Sequence, residues 1–155
     1  MATPKRRLER DAVEAVVNQL KAMLVDKQSD LERWDAKAQA EFRSWFGTTD
    51  EAARTQIVQR LGKLQRLLET YSDSSFRRSE DPYPFVDPRD ERTVYVHASA
   101  PLSAVTLAHE LSHFSSIGAT KDYAYGPRRS RALAREYPEK ALRNADNFAF
   151  YMEEE

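Results

Sequence analysis

The feature that most constrains this chain is His109-Glu110-Leu111-Ser112-His113, an H-E-x-x-H match inside an apolar-periodic run over 102–126. Ser103 is positioned to cap a helix there, and Val105, Leu107, Ala108, Leu111 and Phe114 supply its apolar faces. Histidines four apart on a helix project from one face, so both imidazoles can reach a single Zn2+ at roughly 2.0 to 2.1 Å. Glu110, beside the first histidine, is badly placed to share that ion but can reach a water on it. That is the geometry of a metal-activated nucleophile and its general base. Gly118 is expected to stop the helix, and Asp122, nine positions after His113, can turn back to offer a carboxylate oxygen. Three protein ligands leave one position open, which points to a catalytic rather than a structural metal. Tyr125, with Gly126 closing the turn, brings a phenol near the same place, where it can donate a hydrogen bond to an oxyanion.

H-E-x-x-H followed by Thr120, Asp122, Tyr125 and Gly126 in a T-x-D-x-x-Y-G pattern resembles the aspzincin metalloendopeptidases, the deuterolysin and peptidyl-Lys metalloendopeptidase family. The resemblance implies one zinc ion on His109, His113 and Asp122, with Glu110 as general base and Tyr125 stabilising the transition state. Ala119 stands where that family usually has Gly. Asn144-Ala145-Asp146-Asn147-Phe148 is similar to the family's N-A-D-[SN]-[YF] segment, which implies that Asp146 lines the pocket for the residue after the scissile bond and favours a basic side chain there. Lysine-specific members carry a second acidic residue where this chain has Ala149, so strict lysine selectivity is not expected. Trp45-Phe46-Gly47 also resembles a feature of the family's N-terminal region. A metzincin is excluded, because Ser116 and Ala119 occupy positions that need Gly and His. A gluzincin would have to recruit Glu136 or Glu139. His97, the one histidine outside the motif, is expected to be a half-exposed strand-end residue and not a ligand.

Twenty-four basic against twenty-five acidic side chains leave a net charge of −1, so no global field favours nucleic acid or an anionic membrane. The chain has no cysteine, which removes disulfides and thiolate metal sites, and no run of about 18 apolar residues that would span a membrane. The N-terminus lacks an uninterrupted apolar stretch of the kind that directs classical export. Secreted fungal members of the family this chain resembles carry signal peptides, propeptides and disulfides, so the resemblance implies a cysteine-free, bacterial-type member, working in the cytoplasm, delivered by a specialised secretion machine as an effector or toxin, or cut from a larger polypeptide. A delivered toxin of this kind would have a cognate inhibitor or immunity protein as partner besides its protein or peptide substrate; the chain is expected to be a monomer.

The 155 residues read as one zincin-like domain: a helical layer over 1–72, a loop and small sheet over 73–100, and the zinc site with a C-terminal helix over 101–155. Val13, Val16, Val17, Leu20, Met23 and Leu24 recur at helical spacing to about Lys27. Capping boxes at Ser29 with Glu32 and at Thr48 with Glu51 are expected to open a second helix, stopped by Gly47, and a third running to about Ser72. These stripes make an antiparallel layer or, alternatively, a coiled-coil partner surface. Prolines at 82, 84 and 88 break the next stretch, leaving at most an edge strand near Phe85 and Val86 and a turn at Asp87-Pro88-Arg89-Asp90. Thr93 to His97 is the best strand. A short helix from Pro127 and a final one from Pro138 through Met152 complete the chain. The fold class is α+β, helix-rich, with a small sheet beside the H-E-x-x-H helix. The expected activity is zinc-dependent peptide-bond hydrolysis; the alternatives are a non-proteolytic zinc-binding interaction module and an amidase acting on cell-wall peptide.

Overall fold

The computed structural model describes residues 4–97 and 102–153, with side chains from residue 10 onward. Helix α1 (Pro4–Arg33) runs past its expected end, so Ser29 and Glu32 lie in its last turn and do not open a second helix. The guanidinium of Arg33 there binds Ser29 Oγ and Asp30. The chain reverses at Trp34, whose φ of 49° is left-handed, and Asp35 caps α2 (Ala36–Phe46) by accepting from the Ala38 N–H at 2.9 Å. Asp35 succeeds where Ser29 does not because its own backbone is extended, leaving its carboxylate free to meet the unpaired N–H groups of the next helix. Gly47 ends α2 as expected, at φ 74°. Helix α3 (Glu51–Glu69) starts after Asp50, not Thr48, whose hydroxyl accepts from the Asp50 N–H at 3.1 Å in a tight turn.

The sheet consists of β1 (Phe76–Ser79) and β2 (Val94–His97), paired in parallel with Phe76 opposite Val94 and Ser79 opposite His97. The edge strand expected at Phe85 and Val86 shrinks to one antiparallel bridge between Phe85 and Tyr95, with the two rings stacked at 4.7 Å. Pro84 has no N–H to offer a ladder, and the turn at 87–90, closed by Asp90 N–H to Asp87 O at 2.9 Å, follows at once.

Helix α4 (Ala104–Ser112) carries the H-E-x-x-H motif, opened by Ser103, whose side chain accepts from the Thr106 N–H. It ends five residues earlier than expected, and His113 is its C-cap residue, with turns filling the stretch to Gly118. Helices α5 (Pro127–Glu136) and α6 (Pro138–Ala141) both start on proline. The expected continuous helix from Pro138 to Met152 breaks at 142–144 before α7 (Ala145–Glu153). The backbone groups at the break are given to Lys121 instead: Lys121 N–H donates to Arg143 O at 2.8 Å, and Ala145 N–H donates to Lys121 O at 3.0 Å.

Helix α4 packs against α7 and α1, and α1 also packs against α3, whereas α2 turns away to lie on α5 and α7. One core joins them, built on Leu20 and Leu24 of α1, Phe42 and Phe46 of α2, Ile57, Leu61 and Leu64 of α3, Leu107 and Leu111 of α4, and Phe148 of α7. Burying such a side chain contributes about 1.5 to 3 kcal/mol, so α4 is held chiefly by packing. Among the described residues no helix is long and apolar enough to cross a membrane.

Candidate metal centre

His109 and His113 meet as their spacing on α4 requires, with their Nε2 atoms 3.2 Å apart. Asp122 reaches them from the loop beyond Gly118: its Oδ1 lies 3.1 Å from His109 Nε2 and 3.3 Å from His113 Nε2. Among the described residues these three form a group able to hold a metal. Glu136 and Glu139 are exposed on α5 and α6 and do not join it; His97 stays half-buried at the end of β2.

The hydrogen bonds behind the imidazoles decide what the three atoms are. His113 Nδ1 faces the Thr120 carbonyl at 2.9 Å, and His109 Nδ1 faces Asp146 Oδ1 at 2.6 Å. A carbonyl and a carboxylate only accept, so each Nδ1 carries the hydrogen and each Nε2 of a neutral ring presents a lone pair. Two lone pairs and a carboxylate oxygen facing one another repel unless a proton or a metal cation lies among them. Their separations fit one: ligands at roughly 2.0 Å in tetrahedral array stand about 3.3 Å apart. The donor set, two neutral imidazoles and one carboxylate, suits zinc with a fourth position left open.

Glu110 is beside this triangle but outside it, its Oε1 3.9 Å from His109 Nε2, and its side chain is only 12% exposed. Burial pushes its carboxyl up to about 7; the charge of His109 opposes the rise, and those of Asp122 and Asp146 add to it. Burial is also the largest influence on His109 and disfavours its charge, yet the Asp146 hydrogen bond and the surrounding carboxylates outweigh it and leave the pKa raised. Tyr125 is 60% exposed, with its ring near-parallel to His109 at 6.5 Å. Desolvation first, then the charge and hydrogen bond of Asp122, push its phenol above the ordinary value, so it keeps its proton.

Asp146 has both oxygens engaged by the protein itself. Oδ1 holds His109, and Oδ2 accepts from the Gly126 N–H at 2.8 Å. Burial raises its pKa most, but those two hydrogen bonds bring it below the usual carboxylate value. A carboxylate behind a ligating histidine fixes the ring's orientation and raises its basicity. Expected from sequence to line a specificity pocket, Asp146 thus stands directly behind the His109 ring. Ala149, one turn on, is buried and offers no carboxylate.

Thr120, Asn144 and Asn147 stand in the sequence only as positions of the two motifs, with no role assigned, and together with Ser112 they hold the ligand loop. Ser112 Oγ lies 2.6 Å from Thr120 Oγ1 and donates to His109 O at 2.6 Å, while Thr120 N–H donates to Ser112 O at 3.1 Å. The Asn144 side chain bonds the backbone at 123–124, and Asn147 bonds Asn144. A polar residue at 0% exposure was the available sign, and it is visible only in three dimensions.

Comparison with known proteins gives the same direction. The peptidyl-Lys metalloendopeptidase of Grifola frondosa is 30% identical over 94% of this chain and 44% of its own length. An extracellular protease of Aeromonas hydrophila is 33% identical over 72% of this chain and 35% of its own. The chain therefore spans less than half the length of these relatives. A solved structure, a zinc peptidase from Grifola frondosa, superposes with a TM-score of 0.78 at 28% identity, covering 94% of each chain. The pattern of the aspzincin family, described as lysine-specific metallo-endopeptidase, matches residues 32–153. With that match running from the end of α1 to the end of α7, the chain belongs to the aspzincin metallo-endopeptidase family.

Proposed function

We propose that this chain is a zinc-dependent endopeptidase in which His109, His113 and Asp122 hold one Zn2+. The observation that carries the reading is the triangle of three acceptor atoms at 3.1 to 3.3 Å with a largely covered carboxylate next to it. When bound, zinc lowers the pKa of water toward 7 and polarises a carbonyl. Glu110, whose nearest ion-pair partner among the described residues is His109 at 3.9 Å, takes the proton from the attacking water and returns it to the leaving amine. Tyr125, exposed beside His109 and protonated, donates a hydrogen bond to the developing oxyanion. Asp146 keeps His109 in the tautomer that presents Nε2.

The substrate is a protein or peptide with a basic side chain favoured after the scissile bond, because Asp146 adds negative charge at one side of the site. That preference is loose. Both Asp146 oxygens are already bonded, and Ala149 contributes no second carboxylate. Digestion of a peptide library with zinc, with a chelator and with the Glu110→Gln variant tests the reading. Cleavage by the zinc-loaded protein at Lys and Arg alongside other residues is expected, with loss on chelation. Glu110→Gln should keep its zinc and lose at least about a hundredfold in rate. Zinc binding with no cleavage by the unaltered protein would leave a binding module in place of an enzyme.

A further inference from the structure

We propose that Asn144 and Asn147 are a buried positioning pair that sets the loop bearing Asp122 and ties it to the far end of α2; this rests on the zinc reading above. The loop is unusual in what it lacks. Lys121, Asp122 and Tyr123 are all exposed, so packing does little to fix the backbone around the third ligand. Hydrogen bonds fix it instead. On one side of Asp122, Lys121 bridges Arg143 O and the Ala145 N–H. On the other, Asn144 Oδ1 accepts from the Tyr123 N–H at 2.7 Å and the Ala124 N–H at 3.2 Å, and Nδ2 donates to Ala124 O at 3.0 Å.

The remaining hydrogen on Asn144 Nδ2 goes to Asn147 Oδ1 at 2.8 Å, which completes the four hydrogen bonds an amide can make. Asn147 Nδ2 in turn donates to Trp45 O at 2.5 Å and Ser130 O at 2.8 Å. Both carbonyls can only accept, so the Asn147 amide has one orientation. That orientation dictates which end of Asn144 faces the loop. Trp45 lies in the last turn of α2, where carbonyls lack helical partners, so the relay also satisfies an otherwise orphaned group. Both asparagines are 0% exposed, and in this low-dielectric setting a misplaced acceptor is costly.

The test compares zinc affinity, by competition with a chromogenic chelator, against the melting temperature of the zinc-free protein. Asn144→Asp puts an oxygen where Nδ2 faces Ala124 O and Asn147 Oδ1. It should weaken zinc about 10- to 100-fold, as loss of a group supporting a ligand does. Ile57→Val, a core truncation in α3, supplies the control: it lowers the zinc-free melting temperature while leaving zinc affinity within twofold. Asn147→Ser, which leaves the Asn144 amide in place but removes its link to Trp45 O and Ser130 O, should weaken zinc in the same direction by a smaller factor, and it decides the matter where Asn144→Asp does not fold. Zinc affinity within twofold of the parent in both asparagine variants, or a loss no larger than the control's at equal destabilisation, overturns the pair's role. Failure of the unaltered protein to bind zinc overturns the endopeptidase reading instead.

Discussion

Ala119 sits two residues before the Lys121 bridge with φ at 48°, a left-handed conformation that costs a residue with a Cβ about 1 to 2 kcal/mol. Aspzincin resemblance puts glycine at this position, and the backbone here explains why glycine suits it. Ala119→Gly should therefore stabilise the protein by about 0.5 to 1 kcal/mol after the added freedom of the unfolded chain is set against the relieved strain. Urea unfolding midpoints measure it, and a lower midpoint for the glycine variant would count against the strain. Gly118 needs no positive φ; it is small because a Cβ would stand 2.8 Å from Arg60 Nε and 3.0 Å from Ser112 O. Arg60 fills that space, 2% exposed over the Phe148 ring, with Nη2 donating to Leu142 O at 2.9 Å. At this scale the candidate ligands were legible, since two imidazoles can share an ion only at a few spacings on a helix. The contact of Asp146 with His109 was not: a carboxylate in a polar helix segment reads alike whether it faces substrate or a histidine Nδ1, and only the packing of α7 on α4 decides.

The elements form where local chemistry is strongest, not always where a motif first appears. Ser29 with Glu32 is a fair capping signature, but the i to i−4 bonds of α1 continue through it until Trp34 adopts positive φ and Asp35 caps the next helix. Helix existence and the stop at Gly47 were legible, because periodicity and a left-handed glycine act locally. The parallel strand Phe76–Ser79 was not, since Phe-Arg-Arg-Ser has no alternation and finds its partner far along the chain. The break at 142–144 was hidden for a related reason: the groups that interrupt the helix belong to Lys121. Gly47 carries the clearest prediction for an element. At φ 74°, with a Cβ only 1.9 Å from Ala134 O, Gly47→Ala must displace α5 from α2. It should lower the melting temperature by more than about 5 °C, well beyond the cost of the torsion alone. A shift under about 1 °C would mean that the α2–α5 contact yields easily.

Across the molecule, α4 packs against α7 and against α1, which is itself backed by α3, so the helix carrying the two histidines is set by elements far apart in sequence. A ligand that binds only this folded arrangement stabilises it: zinc at about 100 times its dissociation constant adds about 2.7 kcal/mol. Melting should rise by about 5 to 10 °C on zinc addition and return on chelation, and His113→Ala should abolish the response. The convergence of three side chains on one ion is tested most directly by anomalous diffraction at the zinc absorption edge from a zinc-loaded crystal. A single peak is expected, bonded to Nε2 of His109, Nε2 of His113 and an Asp122 carboxylate oxygen. A peak bound elsewhere, or bonded to the two histidines with Asp122 turned to solvent, would contradict it.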